Sequence, residues 1–479
     1  MSFQLRPYQS DLISKIYRSW ESGNRKVLAQ LSTGGGKTIV LSSIVKQFIE
    51  SGAKCLVLAH REELINQSVD KLEAIVDEPV GVIKSGIVPN YDRSVQVGSV
   101  QSMKSRLKTI PYEFDLIVID EAHHTTITGA YSVVLNNYPN AKILGVTATP
   151  IRLDGKGFRG VFDDLVCGIT TDDLIELGAL SKYQYYAGRL AMSVEGLKKS
   201  GGDYNTGAIE KSNPVDLVAN QVIEAMQAHL VGKQAVVFAV SVAHSIAIAE
   251  YLKQSGYLAH HLDGMTTSGE RRSAIEMFKN RQIQILTNCA LFDEGLDIPS
   301  LDGVILARPT ASVGRYLQMC GRSLRPCDGK DYAIIVDLAN NYQRLGMPDD
   351  DRIWTLDGIE KKPRAKKGTT TKQRNPFTGL VEDVVIASTG TEFLEIPGGR
   401  VAMTPELKNW IILCDQIIAS QISRGAKPGW CAYRLAQSPT KAPIEAWKYL
   451  GKKLGYHHGW AKHKFENWEQ VLNSVDTVR

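Results

Sequence analysis

The chain of 479 residues is too long for a single hydrophobic core and suits two or three domains. It has no run of about 18 apolar residues, no apolar signal core in Met1–Pro7 and no Cys-x-x-Cys pair, which predicts a soluble cytoplasmic protein without membrane segment, disulfide framework or zinc site. The formal net charge of +5 conceals an imbalance, −3 over residues 1–351 against +8 over residues 352–479, so a polyanionic partner is expected at the C-terminal end.

In chain order, Arg6-Pro7-Tyr8-Gln9 reads as a helix start. Arg25–Leu31 then reads as a strand and Ile39–Ile49 as an apolar helix, with Ser32-Thr33-Gly34-Gly35-Gly36-Lys37-Thr38 between them. Three glycines let backbone amides close around a polyphosphate, Lys37 supplies a cation to the β and γ phosphates, and Thr38 offers a hydroxyl to Mg2+. A glycine run alone is also what a flexible turn contains. The flanking strand and helix supply the context that sets phosphate on a helix N-terminus. Leu31 stands where the strict form of this loop begins with glycine.

Short Val/Ile/Leu strands follow near residues 54–59, 95–99, 116–120 and 143–147 with helical stretches between, the pattern of a parallel sheet wrapped by helices over residues 1–185. The strand ending at Ile119 delivers Asp120-Glu121-Ala122-His123 to its carboxyl end, where ligands of open α/β sheets bind. Asp120 would hold the hydrated metal and Glu121 would orient the attacking water. His123 and His124 are adjacent, diverge, and do not make a metal pair. Hydrolysis of a nucleoside triphosphate with Mg2+ is the chemistry this pattern implies.

The alternation restarts near residue 215, with strands near 235–239, 258–262, 283–287, 303–307 and 332–336, giving a second lobe over 215–345 that has no phosphate loop of its own. Residues 186–214 are polar and glycine-bearing and read as a linker. Residues 346–400, which include the basic run from Lys361 to Arg374, read as a flexible tether. Helical signals resume over 401–479 with Thr404-Pro405-Glu406, and Gly425 to Leu435 repeats at Gly455 to Phe465. Six of the seven tryptophans lie after residue 352. Most rings of so small a helical domain are needed in its core, leaving one or two, of which Trp430 and Trp460 are the candidates, to stack on bases while neighbouring lysines hold phosphate.

The order of these motifs over residues 4 to about 340 resembles the superfamily 2 helicases and translocases. The resemblance implies an α/β chain of two tandem RecA-like parallel-sheet lobes plus a small basic helical C-terminal domain. ATP-Mg2+ would lie in the shared cleft and nucleic acid across the tops of the lobes. Arg6 and Gln9 would recognise adenine. His60-Arg61-Glu62-Glu63-Leu64 and Gly98-Ser99-Val100-Gln101-Ser102 resemble the segments that hold strand phosphates, through Arg61, Ser99 and Gln101. Gly145-Val146-Thr147-Ala148-Thr149-Pro150 resembles the link between ATP state and lobe movement, and His123 would couple the nucleotide to the second lobe.

In that second lobe, Thr287 and Asn288 match residues that touch the nucleic-acid backbone, while Gly295 and Asp297 match residues that approach the ribose and the phosphate-loop lobe; Asp297 is equally placed for a helix or turn cap. Gln318-Met319-Cys320-Gly321-Arg322-Ser323-Leu324-Arg325 answers a specific need, because charge spreads over the γ-phosphate oxygens during transfer and cations donated from the other lobe stabilise it. Arg325 is assigned the finger, with Arg322 beside it. Thr147 to Lys156 looks most like the RadD and XPB branch, with its phage-encoded members, which acts on DNA at branched or repair intermediates. Single-stranded or forked DNA, alongside replication or recombination proteins, is the partner class implied. The rival readings are an RNA helicase, the motor subunit of a restriction-type complex, and a non-catalytic nucleic-acid adaptor.

Overall fold

The computed structural model describes residues 4–59, 62–126, 128–152, 155–188, 192–292, 298–359 and 393–396, and scattered positions between 410 and 465. In chain order the first lobe consists of α1 (Pro7–Glu21), β1 (Lys26–Gln30), α2 (Lys37–Glu50), β2 (Cys55–Ala59), α3 (Glu62–Val76), β3 (Gly81–Ile83), β4 (Val95–Ser99), α4 (Val100–Arg106), β5 (Leu116–Asp120), α5 (Ala130–Asn137), β6 (Lys142–Thr147) and β7 (Asp164–Cys167). The strands form one parallel sheet in the order β3-β4-β2-β5-β6-β1-β7. Strands β2 and β4 are buried at every position, as expected when helices cover both faces and the alternation of a half-exposed strand is lost. Leu12, Val27 and Ile44 build the core on one face, and Leu28, Ile117 and Phe162 the core on the other.

The second lobe continues with α6 (Thr171–Glu176), β8 (Tyr183–Gly188), β9 (Lys199–Ser200), β10 (Asp203–Tyr204), α7 (Thr206–Ser212), α8 (Val215–His229), β11 (Ala235–Ala239), α9 (Val242–Gln254), β12 (Ala259–Leu262), α10 (Ser268–Lys279), β13 (Ile285–Asn288), β14 (Gly303–Ala307), α11 (Val313–Gly321), β15 (Ala333–Asp337) and α12 (Asn341–Leu345). After it come β16 (Trp354–Thr355), β17 (Gly358–Ile359) and β18 (Phe393–Ile396). The second sheet runs β12-β13-β11-β14-β15-β8-β18, parallel except for β18, which pairs antiparallel with β8.

Two expected boundaries are corrected. Strand β8 begins at Tyr183 and pairs with β15, so residues 183–185 belong to the second sheet rather than the first. The expected linker 186–214 carries the end of β8, the β9–β10 hairpin and α7, and its Met192 and Ile209 are buried in the second lobe's core. The glycines that suggested flexibility are the hairpin turn, Gly201 and Gly202, both at positive φ.

The expected tether 346–400 is likewise ordered at both described ends. Strand β18 extends the second sheet. The β16–β17 hairpin instead returns to the first lobe, where Phe158 N and Arg159 N donate to Leu356 O at 2.6 and 2.9 Å. The Arg159 guanidinium meets Asp357 through two bonds of 2.6 Å. Gly157 permits this docking, because a Cβ there would stand 2.1 Å from Leu356 O.

The C-terminal residues from Pro397 form a separate compact unit. Its described residues include the helix Gly429–Ala436 and a core of Cys414, Cys431, Leu435, Trp447 and Leu450, with Trp410 packed against it. Trp447 is fully buried, while the side chain of Trp430 and all of Trp460 lie outside the described residues. Among the described residues no helix is long and apolar enough to cross a membrane, and no cluster of three or more His, Cys, Asp or Glu side chains could hold a metal.

Candidate active site

The loop Ser32–Gly36 joins β1 to α2, with Gly34 and Gly36 at φ 83° and 90°, a left-handed conformation that side chains with Cβ resist. Gly36 is also crowded, since a Cβ on it would meet Gln9 Nε2 at 2.4 Å. The buried Gln9 amide donates to Gly35 O at 3.3 Å and accepts from Arg6 N at 2.9 Å. The structure therefore brings Gln9 to the phosphate loop, but its side-chain carbonyl is already bonded to the chain. Tyr8 OH adds a second donor to Gly35 O at 3.1 Å. Leu31 packs beneath Gly35, which accounts for an apolar residue where the strict loop has glycine.

Lys37 opens α2 among charges of both signs. Burial holds its ammonium below the usual lysine range, Arg322 and Arg325 push the same way, and Glu121 and Asp120 oppose them. Asp120, at the end of β5, is pushed up to about 6, first by burial and then by the charge of Glu121, with Lys37 and the Glu121 N–H pulling it down. That hydrogen bond, Glu121 N to Asp120 Oδ1, is 3.0 Å long. Glu121 itself sits at φ 47°, an unusual backbone for a residue with a Cβ, and this sharp turn presents both carboxylates at the strand end. The Thr38 hydroxyl and Asp120 carboxylate are hard oxygen donors of the kind Mg2+ takes, with phosphate oxygens and water completing its shell. A divalent cation would also relieve the crowding of negative charge on Asp120. The residues present fit Mg2+.

His123 connects the two lobes. Its Nδ1 lies 3.3 Å from Glu121 Oε2 and 3.2 Å from Thr147 Oγ1, and its Nε2 lies 3.5 Å from Gln318 Nε2. Thr147 Oγ1 donates to Thr149 O at 3.1 Å, so this network assigns the proton to Nδ1 and leaves Nε2 to accept from Gln318. The His124 ring lies against that of His123, centroids 4.2 Å apart and planes tilted by 41°, so the adjacent side chains do not diverge as expected. On the other side of the cleft, α11 lies so close that a Cβ on Gly321 would stand 2.7 Å from Thr33 Cβ. A Cβ on Gly34 would come within 3.8 Å of Arg325 Cγ. Arg322, at the end of α11, is buried. Ser32, Thr33, Ala148 and Thr149 from the first lobe and Thr171, Leu317, Gly321, Leu324 and Pro348 from the second line the cleft.

The expected nucleic-acid contacts divide. Gln101 is exposed at the start of α4. Ser99 is buried as the cap of α4, its hydroxyl accepting from Ser102 N at 3.2 Å and bonding Ser102 Oγ at 3.0 Å. Thr287 and Asn288 are fully buried, with Thr287 Oγ1 donating to Ser245 O at 2.9 Å and Asn288 Nδ2 to Val237 O at 3.0 Å. For these three the polar groups are bonded inside the fold in this structure, because an unpaired buried hydroxyl or amide is costly. Arg61, Gly295 and Asp297 lie outside the described residues. Sequence reasoning missed Thr171, whose hydroxyl donates to Ser32 Oγ at 3.0 Å; no local signal marks a contact between residues 139 positions apart.

Two families match the two lobes in order: "Type III restriction enzyme, res subunit" over residues 2–152 and "Helicase conserved C-terminal domain" over residues 218–327. The chain is 32% identical over 348 residues to a 51.5 kDa protein of a Lactococcus phage, covering 72% of this chain and 73% of that one. It is 29% identical over 358 residues to the putative ATP-dependent helicase IRC3 of Saccharomyces cerevisiae, covering 70% of this chain and spanning about half, 51%, of the yeast protein. Identity to the DNA 3'-5' translocase XPB2 of Sulfurisphaera tokodaii is 24% over 372 residues, 70% of this chain and 81% of that one. The fold is shared with a fragment of a putative HsdR subunit of a type I restriction enzyme from Vibrio vulnificus, with a TM-score of 0.57, 22% identity, and coverage of 72% and 66%. The chain therefore belongs to the superfamily 2 helicases, enzymes that hydrolyse ATP between two lobes of the kind described here.

Proposed function

We propose that this helicase couples ATP hydrolysis to movement on DNA, and that branched or forked DNA in replication, recombination or repair is its physiological substrate. The observation that carries the reading is the bridge from Glu121 through His123 to Gln318, which gives the hydrolytic carboxylate a direct path to the second lobe. Glu121 would orient water for attack on the γ-phosphate, Lys37 and the amides of Thr33–Gly36 would hold the phosphates, and Arg325 with Arg322 would stabilise the charge that develops. Thr38 and Asp120 would hold Mg2+, whose charge, when bound, neutralises the phosphate oxygens. Arg6 and Gln9 would face the base, and Gly295 and Asp297 the ribose. Lobe closure on ATP and opening after hydrolysis would advance the strand past Arg61 and Gln101.

DNA rather than RNA is supported by the likeness to the archaeal DNA translocase, and the excess of basic residues after residue 352 suits a nucleic acid of either kind. The C-terminal unit would add affinity through its lysines and through Trp430 and Trp460. Steady-state ATP hydrolysis by the wild type and Glu121→Gln, each alone and with single-stranded, forked and duplex DNA and with RNA, tests the reading. Stimulation greatest on forks and abolished by Glu121→Gln supports it, and stimulation by RNA alone overturns it. A second reading, a motor subunit serving a restriction-type complex, is favoured by the match of residues 2–152 to a res subunit. Duplex DNA as the best activator, with no strand separation, would select that reading.

A further inference from the structure

Arg325 follows α11 in a loop that no helix or strand holds in place. What fixes this loop is a lysine from beyond it. Lys330 Nζ donates to Leu301 O at 2.6 Å, Ser323 O at 2.5 Å and Arg325 O at 3.0 Å. An ammonium carries three donors and no acceptor, so three converging carbonyls match it one for one. Without the cation, three inward-pointing carbonyl dipoles would face one another in a largely dry pocket. Ser181 completes the attachment, its hydroxyl donating to Arg325 O at 3.1 Å and its N–H to Leu324 O at 2.7 Å.

We propose that Lys330 is the positioning residue of the arginine finger, binding the carbonyls of Ser323 and Arg325 to that of Leu301 so that the Arg325 guanidinium enters the cleft at a set depth. The proposal rests on the reading of Arg325 as the finger. Lys330 itself touches neither the phosphate loop nor Mg2+ ligands, and its effect on turnover passes entirely through the backbone of residue 325. Leu301 precedes β14, so the same ammonium ties the finger loop to the segment that leads into the second sheet's centre. The clamp also carries a pH limit. Burial pushes the Lys330 ammonium down to about 8; Asp302 and Cys327 oppose that shift, and Arg325 and Lys233 add to it. Above that pH the neutral amine keeps only two of its three donors.

The test is ATP hydrolysis by the full-length protein, with kcat and KM for ATP measured for wild type, Lys330→Met, Lys330→Arg, Arg325→Ala and the Arg325→Ala/Lys330→Met double variant from pH 7 to 9.5. Arg325→Ala is expected to lower kcat by about 10³-fold. Lys330→Met should lower it by about tenfold with KM within about threefold of wild type, and should add less than about twofold to Arg325→Ala, since both act through one group. The wild type is expected to lose kcat above about pH 8, and Lys330→Arg, whose guanidinium does not titrate in this range, should abolish that fall.

If Arg325→Ala leaves kcat within threefold of wild type, the finger reading fails and this proposal with it. If Arg325→Ala is crippled and Lys330→Met is not, or if the two losses multiply in the double variant, the finger stands and the positioning role is overturned. Should Lys330→Met prove unfolded by circular dichroism, the pH profiles decide: an alkaline loss that persists unchanged in Lys330→Arg overturns the proposal.

Discussion

His123 of the first lobe faces Gln318 of the second, imidazole Nε2 to amide Nε2, at 3.5 Å, while its other ring nitrogen rests on Glu121 and Thr147. Both residues are buried, so the contact is shielded from water and its geometry depends on the separation of the lobes. A change at Glu121 is felt at Gln318 through a single ring.

Gln318→Ala should therefore separate nucleotide chemistry from polymer binding. ATP affinity, measured with a fluorescent analogue, is expected to stay within about threefold of wild type, whereas the stimulation of hydrolysis by nucleic acid should drop by about tenfold or more. Loss of affinity with stimulation intact would show that Gln318 serves the nucleotide directly.

Gly157→Val should displace the β16–β17 hairpin, because the added Cβ collides with a backbone oxygen rather than a flexible side chain. We expect a cost of about 1–3 kcal/mol, the usual range for overpacking, and faster proteolysis between residues 346 and 360. Arg159→Ala should leave the melting temperature almost unchanged, since the Arg159–Asp357 pair is exposed on both sides and such pairs contribute little.

Cys55 and Cys320 should resist alkylation in the native protein. Both thiols are buried, which pushes Cys55 up to about 12 and Cys320 well above its ordinary value. At pH 8 neither supplies thiolate, the reactive form. Iodoacetamide labelling read by mass spectrometry should modify them only after denaturation. The linkage has a definite sign: above about pH 8.5 the unfolded chain releases thiol protons that the native state retains, so this contribution to stability falls as pH rises from 8.5 toward the native values.

Trp447→Ala should destabilise the C-terminal unit by about 3–5 kcal/mol, as removal of a fully buried ring does. Calorimetry should show the transition of residues 397–479 shifting while that of the larger unit, Met1–Ile396, stays in place. A single unchanged transition would show that the ring is dispensable.

The two sheets were legible where apolar β-branched runs met phosphate-binding chemistry: β1, β5, β6, β11 and β14 fall within a residue or so of the expected spans. Strand β8 was harder, because its alternating Tyr183, Tyr185 and Ala187 bury one face in a core while its edge pairs with a strand 150 positions away, and nothing local says which sheet it joins. The same holds for the hairpin at Leu356, whose order comes from Gly157 rather than from its own sequence. The motif residues of the cleft came together because their types are dictated by phosphate and metal chemistry. Thr287 shows the limit of that logic, since a motif specifies a hydroxyl but not the direction in which it points.

The docked hairpin also sets what the lobes can do mechanically. The chain crosses between them along residues 168–170, ahead of α6, crosses back before Trp354 to fasten at Phe158 and Arg159, and returns to the second sheet at Phe393. Two bodies joined at one point can swing and twist about every axis, but two bodies joined at two separated points retain one easy rotation, about the line through both. Should the lobes swing as the proposed function requires, these two fastenings would form the axle, and the covalent path of the chain would set the direction of the swing.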